Sequence, residues 1–256
     1  MSKLTSLIRQ AVGEKRFNTA VILAAGNGSR MSDEGGEPKQ FMKVGGVPMI
    51  VRSALAFEAS SDIHEIVVVT READIGGCTA ILRKAGISKL TKVVAGGKTR
   101  QESAKLGFDA VNPECGFVAI HDAARCLVTP AMIGDVMEAA YIHGAAACAS
   151  RVVDSMKRTV PSGIIEETVD RSNMWLVQTP QVFLANMYRA AAYMAVRENF
   201  EGTDDCVLCE RLGFKVQLVD TGRFNIKVTY PEDLILAEMI TAYRDKTAKT
   251  TEKTPI

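Results

Sequence analysis

Residues 19–28 read Thr-Ala-Val-Ile-Leu-Ala-Ala-Gly-Asn-Gly, and this stretch decides the fold class. The run Thr19–Ala25 is almost continuously apolar rather than alternating, which is typical of a parallel strand covered by helices on both faces. Gly26 and Gly28 follow it directly. Glycines at this place let backbone N–H groups approach an anion closely, because no Cβ intervenes. The stretch therefore predicts a buried first strand that ends in an anion-binding turn.

The same succession of strand and helix continues along the chain. Six further strands are predicted, at Glu65–Thr70, Thr91–Ala95, Gly116–Ile120, Ala145–Ser150, Trp175–Thr179 and Lys215–Val219. Seven helices are predicted, at Pro48–Ala59, Ala73–Ala85, Arg100–Val111, Pro130–His143, Leu184–Asn199, Asp204–Leu212 and Pro231–Tyr243. The alternation favours an α/β fold with a doubly wound, mostly parallel sheet, in which ligands bind outside the carboxyl ends of the strands.

Residues 151–171 interrupt this pattern with two short β-prone runs around Pro161-Ser162-Gly163. They predict an inserted β-hairpin. Because a two-stranded arm is marginal alone in water, we expect it to pack against a second copy of the chain. We divide the chain into a single domain at 19–245 with a dimerisation arm at about 151–172, an N-terminal extension at 1–18 and a polar tail at 246–256.

The composition narrows the class of protein. The chain has 256 residues, 47% of them hydrophobic, and its 31 basic and 30 acidic residues give a net charge of +1. This excludes a disordered chain and disfavours a nucleic-acid partner, so cations that bind phosphate must be clustered locally. No stretch is apolar enough for a membrane span. Six irregularly spaced cysteines, and Arg9 where a signal peptide would be apolar, favour the cytoplasm.

Four segments carry charged or glycine-rich candidates for a phosphate site. Arg30 and Lys39 follow the first glycine turn, and Gly97 lies in a second turn that opens a helix. Asp122 follows a predicted strand, where it could accept hydrogen bonds from sugar hydroxyls, help to hold a divalent cation, or cap a turn and pair with Arg125. Lys227 lies in a short β-prone segment, where the residues alone slightly favour a side chain in water over one that meets a phosphate.

The sequence lacks the residue spacing of several well-known nucleotide-binding and catalytic motifs. Met31 stands where the dinucleotide fingerprint needs its third glycine, and no glycine-lysine-serine/threonine or G-x-S-x-G segment occurs. Cys206 and Cys209 have the spacing of a redox or zinc pair but no second pair, so we interpret them as small apolar side chains in a helix.

The motifs together resemble one family. LAAGNGSRM, PKQF, an AGG…R…S turn, HDAAR, DSMKR, VDR, QTPQ, TDD and NIKVTYPEDL occur between Ala20 and Glu238. In this order they resemble the 2-C-methyl-D-erythritol 4-phosphate cytidylyltransferases of the sugar-nucleotidyltransferase superfamily, which have a Rossmann-like fold. The resemblance implies that a phosphate oxygen of methylerythritol phosphate attacks the α-phosphorus of CTP and expels pyrophosphate, a step of non-mevalonate isoprenoid biosynthesis.

The resemblance also implies residue roles. Arg30 and Lys39 would stabilise the transition-state charge, while Arg171 and Lys227 would hold the substrate phosphate. Arg171 and Ser155 would act on a neighbouring subunit's site in a homodimer. The nucleotide-binding candidates are Ala24, Ala25, Gly26, Gly28, Gly97, Ser103 and Asp122. The substrate-binding candidates are Asp122, Arg125, Ser155, Arg171, Thr203 and Lys227. Mg²⁺, or another divalent cation, would sit on the triphosphate, with no protein ligand assigned.

Two departures and two alternatives accompany this interpretation. Cys126 stands where the family usually has proline, and Ser155 replaces a threonine but keeps the hydroxyl. A ribitol-5-phosphate cytidylyltransferase shares several of the motifs, although HDAAR and DSMKR favour methylerythritol phosphate. A non-catalytic nucleotide-binding paralogue would have lost one of the four catalytic cations, and all four are present.

Overall fold

The structure, a computed structural model, describes residues 17–26, 31 and 38–251 of the chain. Their eleven strands are β1 (Phe17–Leu23), β2 (Lys43–Val44), β3 (Val47–Pro48), β4 (Glu65–Thr70), β5 (Leu90–Ala95), β6 (Cys115–Asp122), β7 (Ala145–Arg151), β8 (Met156–Thr159), β9 (Ile165–Val169), β10 (Trp175–Leu184) and β11 (Gln217–Asp220). Seven of them form the central sheet, in the order β11-β7-β10-β6-β1-β4-β5. Only β10 of these runs antiparallel to its neighbours.

Helices cover both faces of the sheet. The α-helices of the described residues are α1 (Met49–Glu58), α2 (Ile75–Lys84), α3 (Arg100–Asp109), α4 (Pro130–His143), α5 (Ala185–Arg197), α6 (Cys206–Arg211) and α7 (Pro231–Thr251). Helices α1, α2 and α4 pack one apolar layer, while α3, α5 and α6 pack the other. The predicted α/β class, with its mostly parallel sheet, is confirmed.

Strand β1 shows why its sequence is so apolar. Successive residues enter opposite layers, since Val21 packs with the α3 side and Ile22 with the α1 side, and both are fully buried. The chain leaves β1 towards β4 and β5 and then returns to β6 on the other side. The carboxyl ends of β1 and β6 therefore border the switch point of the sheet, where open α/β sheets bind ligands.

The inserted hairpin is present as the antiparallel pair β8–β9, which pairs Met156 with Val169. It is the outer end of the connection between β7 and β10, since Trp175 pairs with Arg151. Because this connection is a hairpin-like arm without a crossover helix, β10 runs antiparallel to β7. The length of β10 was underestimated, because it continues through Thr179 to Leu184.

Two boundaries differ from the sequence prediction. The short hairpin β2–β3, with two residues in each strand, was not predicted. The last helix was predicted to end at Tyr243, with a polar tail at 246–256, but α7 continues to Thr251. Arg244 explains part of this difference, because its Nη1 donates to the Leu127 carbonyl at 2.6 Å and fixes the helix to the loop after β6. Most of the predicted N-terminal extension, residues 1–16, and residues 252–256 lie outside the described residues.

Candidate active site

A cleft of about 610 Å³ opens at the carboxyl edge of the sheet, beside the switch point. It is bounded by the ends of β1 and β6, the turn after β5, the start of α3 and the segment before α7. The described residues that line it are Leu23, Ala24, Ala25, Gly26, Lys39, Gln40, Met49, Gly97, Lys98, Thr99, Arg100, Ser103, Asp122, Ala123, Ala124, Lys227 and Thr229. Eight of them were predicted as site residues from the sequence.

The first wall continues from β1. The Ala24 N–H donates to the Val69 carbonyl at 2.7 Å, which holds the start of the turn against β4. Lys39 and Gln40 border the cleft from a 3₁₀ turn at Lys39–Phe41. Buried Gln40 fixes this turn by donating to the Asp74 carboxylate at 3.0 Å. The predicted residues Gly28 and Arg30 lie outside the described residues.

The second wall is the glycine turn that opens α3. The Thr99 side chain caps the helix by accepting from the Glu102 N–H at 3.1 Å, as a capping box predicts. Ser103 Oγ accepts from the Gly97 N–H at 3.1 Å. A Cβ added at Gly96 would lie 2.4 Å from Ala25 Cβ and 2.8 Å from Ser103 Oγ. The two walls therefore approach so closely at Gly96 that no larger residue fits.

Asp122 is the carboxylate among the described residues that line the cleft. Its Oδ1 accepts from Arg100 Nε at 3.0 Å and its Oδ2 from Lys227 Nζ at 2.7 Å. Burial would raise the pKa of Asp122, but the Arg100 and Lys227 cations hold that pKa well below its usual range. Asp122 is therefore ionised, and it pairs with these two residues rather than with Arg125, which only closes a backbone turn onto it.

Lys227 points into the cleft, so the slight preference for water was wrong. The segment around it is not a strand in the structure, and three hydrogen bonds fix it. The Val228 N–H donates to the Ala124 carbonyl at 2.9 Å, and Arg125 Nη1 donates to the Asn225 carbonyl at 2.8 Å. Buried Asn225 donates in turn to the Thr179 carbonyl at 2.9 Å. These contacts place the Lys227 ammonium beside Asp122.

The sequence did not predict the buried hydrogen-bonded group of Arg100, Asp205 and Tyr188, which lies next to Asp122. Arg100 Nη1 donates to Asp205 Oδ2 at 2.7 Å, and the Tyr188 hydroxyl donates to Asp205 Oδ1 at 2.7 Å. Burial would lower the pKa of Arg100, but Asp205 and Asp122 raise it well above its usual range. The signals in the sequence were the arginine of the AGG…R…S turn and the second aspartate of TDD, which a helix surface and a helix start explain equally well.

Four other predicted residues are not among those that line this cleft. Among the described residues, Arg125, Ser155, Arg171 and Thr203 do not line it. Ser155 and Arg171 are exposed and flank the paired strands at the base of the β8–β9 arm, and Thr203 is exposed in the loop before α6. The cleft of one chain therefore lacks these four groups, and their roles stay predictions.

The cysteines are buried and free. Cys206 and Cys209 lie in α6 within the apolar layer that α3 and α5 share, which agrees with their interpretation as small apolar side chains. Burial raises the pKa of Cys209 to about 12. Cys126 is packed under α7 with Leu127, and burial raises its pKa to about 11. These thiols are poor nucleophiles and poor metal ligands.

The donors available to a metal ion are few. In the described part of the chain, no group of three or more His, Cys, Asp or Glu could hold one. Mg²⁺ commonly binds through one or two carboxylates together with substrate phosphates and water. Both oxygens of Asp122 are engaged by Arg100 and Lys227, so a divalent cation in the cleft would be held mainly by triphosphate oxygens and water.

A cleft at the switch point of a doubly wound sheet, with glycine turns and clustered cations, defines an α/β protein that binds a phosphorylated nucleotide and transfers a group. Comparison with known proteins identifies the family. The chain matches the family model of 2-C-methyl-D-erythritol 4-phosphate cytidylyltransferase over residues 18–242, and it belongs to that family. Its members are enzymes, as their name states.

Relatives and solved structures agree with this assignment. The chain is 42% identical over 222 residues, 86% of this chain and 97% of the relative, to 2-C-methyl-D-erythritol 4-phosphate cytidylyltransferase of Caldanaerobacter subterraneus subsp. tengcongensis. The structure is similar to 4-diphosphocytidyl-2C-methyl-D-erythritol synthase from Anaerococcus prevotii, with a TM-score of 0.79, 26% identity and coverage of 89% and 96%. It is similar to the cytidylyltransferase from Thermus thermophilus, with a TM-score of 0.71, 29% identity and coverage of 87% and 98%. No helix in the described residues is long and apolar enough to cross a membrane.

Proposed function

We propose that this chain transfers the cytidylyl group of CTP to 2-C-methyl-D-erythritol 4-phosphate and releases pyrophosphate, in isoprenoid biosynthesis. Its family membership and the 42% identity to a protein of that name support this assignment. The observation that carries it is the cleft, which joins Lys39, Lys227 and the glycine turns at one edge of the sheet. These are the groups that a reaction between two phosphates needs.

The reaction is a problem of positioning and charge. The phosphate oxygen of the acceptor attacks the α-phosphorus of CTP, and the bond from that phosphorus to the bridging oxygen of pyrophosphate breaks. Negative charge spreads over the α-phosphoryl oxygens, so preorganised cations stabilise the transition state and no covalent nucleophile is needed. Lys39, with Arg30, would supply that stabilisation. Lys227, with Arg171, would hold the acceptor phosphate.

The nucleotide would lie along the two glycine turns. The glycine turn of Gly26 and Gly28 would meet the triphosphate, and Ala24, Ala25, Gly97 and Ser103 would meet the base and ribose. A divalent cation, Mg²⁺ in the first instance, would neutralise part of the triphosphate charge and be held largely by its oxygens.

We propose further that two copies of the chain complete each site through the β8–β9 arm. The arm carries exposed apolar side chains in the single chain, among them Ile164 at 69% and Ile165 at 58% exposure. Apolar surface of this kind favours contact with another chain. Arg171, Ser155 and Thr203 would then act on the acceptor, with the arm residues supplied by the partner. The six free cysteines support a location in the cytoplasm.

The release of pyrophosphate tests the function and decides between the two acceptors. The protein is incubated with CTP and Mg²⁺ and with either methylerythritol phosphate or ribitol 5-phosphate. We expect pyrophosphate at a much higher kcat/KM with methylerythritol phosphate. Preference for ribitol 5-phosphate would favour the alternative acceptor, and no release with either would favour the non-catalytic paralogue.

A further inference from the structure

Arg100 is the first residue of α3 and lies on the wall of the cleft, yet both sides of its guanidinium are already engaged. Its Nε donates to Asp122 Oδ1 at 3.0 Å, and its Nη1 donates to Asp205 Oδ2 at 2.7 Å. The two cations Arg100 and Lys227 and the two carboxylates Asp122 and Asp205 sum to zero charge. Arg100 uses its Nε and Nη1 to bind two carboxylates, whereas the Lys227 ammonium has three N–H groups, of which one donates to Asp122, and its side chain is 39% exposed.

Asp205 anchors this arrangement from inside the protein. Its carboxylate is 1% exposed and also accepts from the Tyr188 hydroxyl, while its N–H donates to Gln181 Oε1 at 3.0 Å. Tyr188 is fully buried between the rings of Phe108 and Phe183. A buried carboxylate needs such partners, and it fixes its cation in return.

Asp122 connects the fixed Arg100 guanidinium to Lys227. One of its oxygens is held by Arg100 and the other by Lys227, so the carboxylate cannot rotate without breaking a charged hydrogen bond. The Asp122 N–H donates to Thr179 Oγ1 at 3.0 Å, which fixes the backbone as well. The position of the Lys227 ammonium therefore depends on Arg100, because both cations bind the same carboxylate, Asp122.

We infer that Arg100 is a positioning residue for the transfer reaction: it fixes Asp122, and through Asp122 the Lys227 ammonium, against the buried Asp205–Tyr188 pair, and it does not itself bind a substrate phosphate. This inference rests on the proposed function for the identity of the phosphate that Lys227 would hold. It goes beyond the roles implied by the family resemblance, which left Arg100 without one.

The titration of Asp122 gives a direct test that needs no substrate. The charged and titratable groups that face Asp122 are Arg100 on α3, Lys227 in the segment before α7, and Arg125 and His121 beside it. Carbon-13 NMR of the carboxyl groups would follow its pKa in the wild type, Arg100→Gln and Arg100→Lys. We expect an increase of about one unit or more in Arg100→Gln and a smaller one in Arg100→Lys, which keeps the positive charge. An unchanged titration in a folded Arg100→Gln protein would overturn the inference.

Kinetics separate positioning from direct contact with the nucleotide. In Arg100→Gln the KM for the polyol phosphate should rise between about 10- and 100-fold, because its phosphate meets a displaced lysine, while the KM for CTP changes much less. A larger rise in the KM for CTP would show instead that Arg100 binds the nucleotide. The matched control is Arg211→Gln, which breaks the exposed ion pair with Glu198 away from the cleft.

Arg100→Gln leaves Asp205 buried without its cation, which destabilises the fold. The double variant Arg100→Gln with Asp205→Asn removes both charges and keeps an oxygen that can accept from Tyr188, so it preserves the test. Removal of the Asp205 charge alone lowers the pKa of Asp122, so the double variant is compared with Asp205→Asn rather than with the wild type. We expect the Asp122 pKa to be higher in the double variant than in Asp205→Asn, and no difference between the two would again overturn the inference. A wild-type protein that releases no pyrophosphate would refute the proposed function, whereas the Asp122 titration would still decide the role of Arg100.

Discussion

Lys39 is the cation whose removal tests the chemistry of the cleft at the scale of one residue. Lys39→Ala should lower kcat by about 100-fold or more, since one preorganised donor to the developing charge is lost. Steady-state pyrophosphate release at saturating CTP and polyol phosphate would measure this loss.

The control for this substitution is Lys43→Ala. Lys43 is exposed on β2, four positions further along the chain, and does not line the cleft. Its replacement should leave kcat within about twofold, as for an ordinary surface residue. If Lys39→Ala turned over as fast as Lys43→Ala, the assignment of Lys39 to the transition state would be wrong.

His121 gives a pH prediction for stability. Burial lowers its pKa from 6.5 to about 3, so between these values the unfolded chain binds one proton more than the folded protein. Stability should therefore fall with decreasing pH by up to about 1.4 kcal/mol per unit below pH 6.5. His121→Gln should lose this part of the slope, as urea unfolding at pH 7.5 and pH 5 would measure. The control is His143→Gln, which removes an exposed histidine. If His121→Gln changed the pH dependence of stability no more than His143→Gln does, the prediction would be wrong.

Residue identity predicted only part of this site. Gly26, Gly97 and Asp122 follow predicted strands, so their place at the carboxyl edge was predictable. The direction of Lys227 was not, because it depends on contacts with Ala124 and Thr179 that lie 46 or more positions away. Arg100 was missed for a similar reason, since its carboxylate partners are 22 and 105 positions distant.

Gly96 is the place where two elements meet most closely, and it allows a test at the element scale. Gly96→Ala would bring a methyl group to 2.4 Å from Ala25 Cβ, so the turn after β5 must move away from the end of β1. We expect lower thermal stability and a KM for CTP raised about 10-fold or more, as for a misplaced binding wall.

The matched control is Gly76→Ala in α2, where no atom lies within 4 Å of the added Cβ. Alanine there should keep the KM for CTP and stabilise the helix by up to about 1 kcal/mol. A Gly96→Ala protein with the stability and KM of Gly76→Ala would show that the turn can move without cost to the cleft.

Most elements could be predicted because their apolar patterns are strong, as in β1 and β4. Strand β10 was harder, since its direction depends on the arm that joins it to β7 rather than on its own residues. The polar centre of β10 also made its length hard to predict. Gln178, Thr179 and Gln181 are buried although they are polar, and their side chains are held by hydrogen bonds rather than by apolar contacts.

At the scale of the whole molecule, the proposed dimer predicts complementation between two inactive variants. A protomer with Arg171→Ala keeps a complete cleft, and a protomer with Lys39→Ala keeps a complete arm. In a symmetric mixed dimer, one of the two sites would then combine both intact groups. Mixing the two variants should restore pyrophosphate release above the sum of the separate proteins. No gain in mixed dimers verified by mass would place Arg171 in a site of its own chain.

The account depends most on the claim that CTP binds in the cleft between the β1 turn and the α3 turn. A crystal structure of the protein with CTP and Mg²⁺ would test this claim most directly. We predict the triphosphate at the backbone of Gly26 with Lys39 within hydrogen-bond distance of it, and the base beside Ala25, Gly97 and Ser103. A nucleotide bound elsewhere, or one whose phosphates face away from Lys39, would contradict the account.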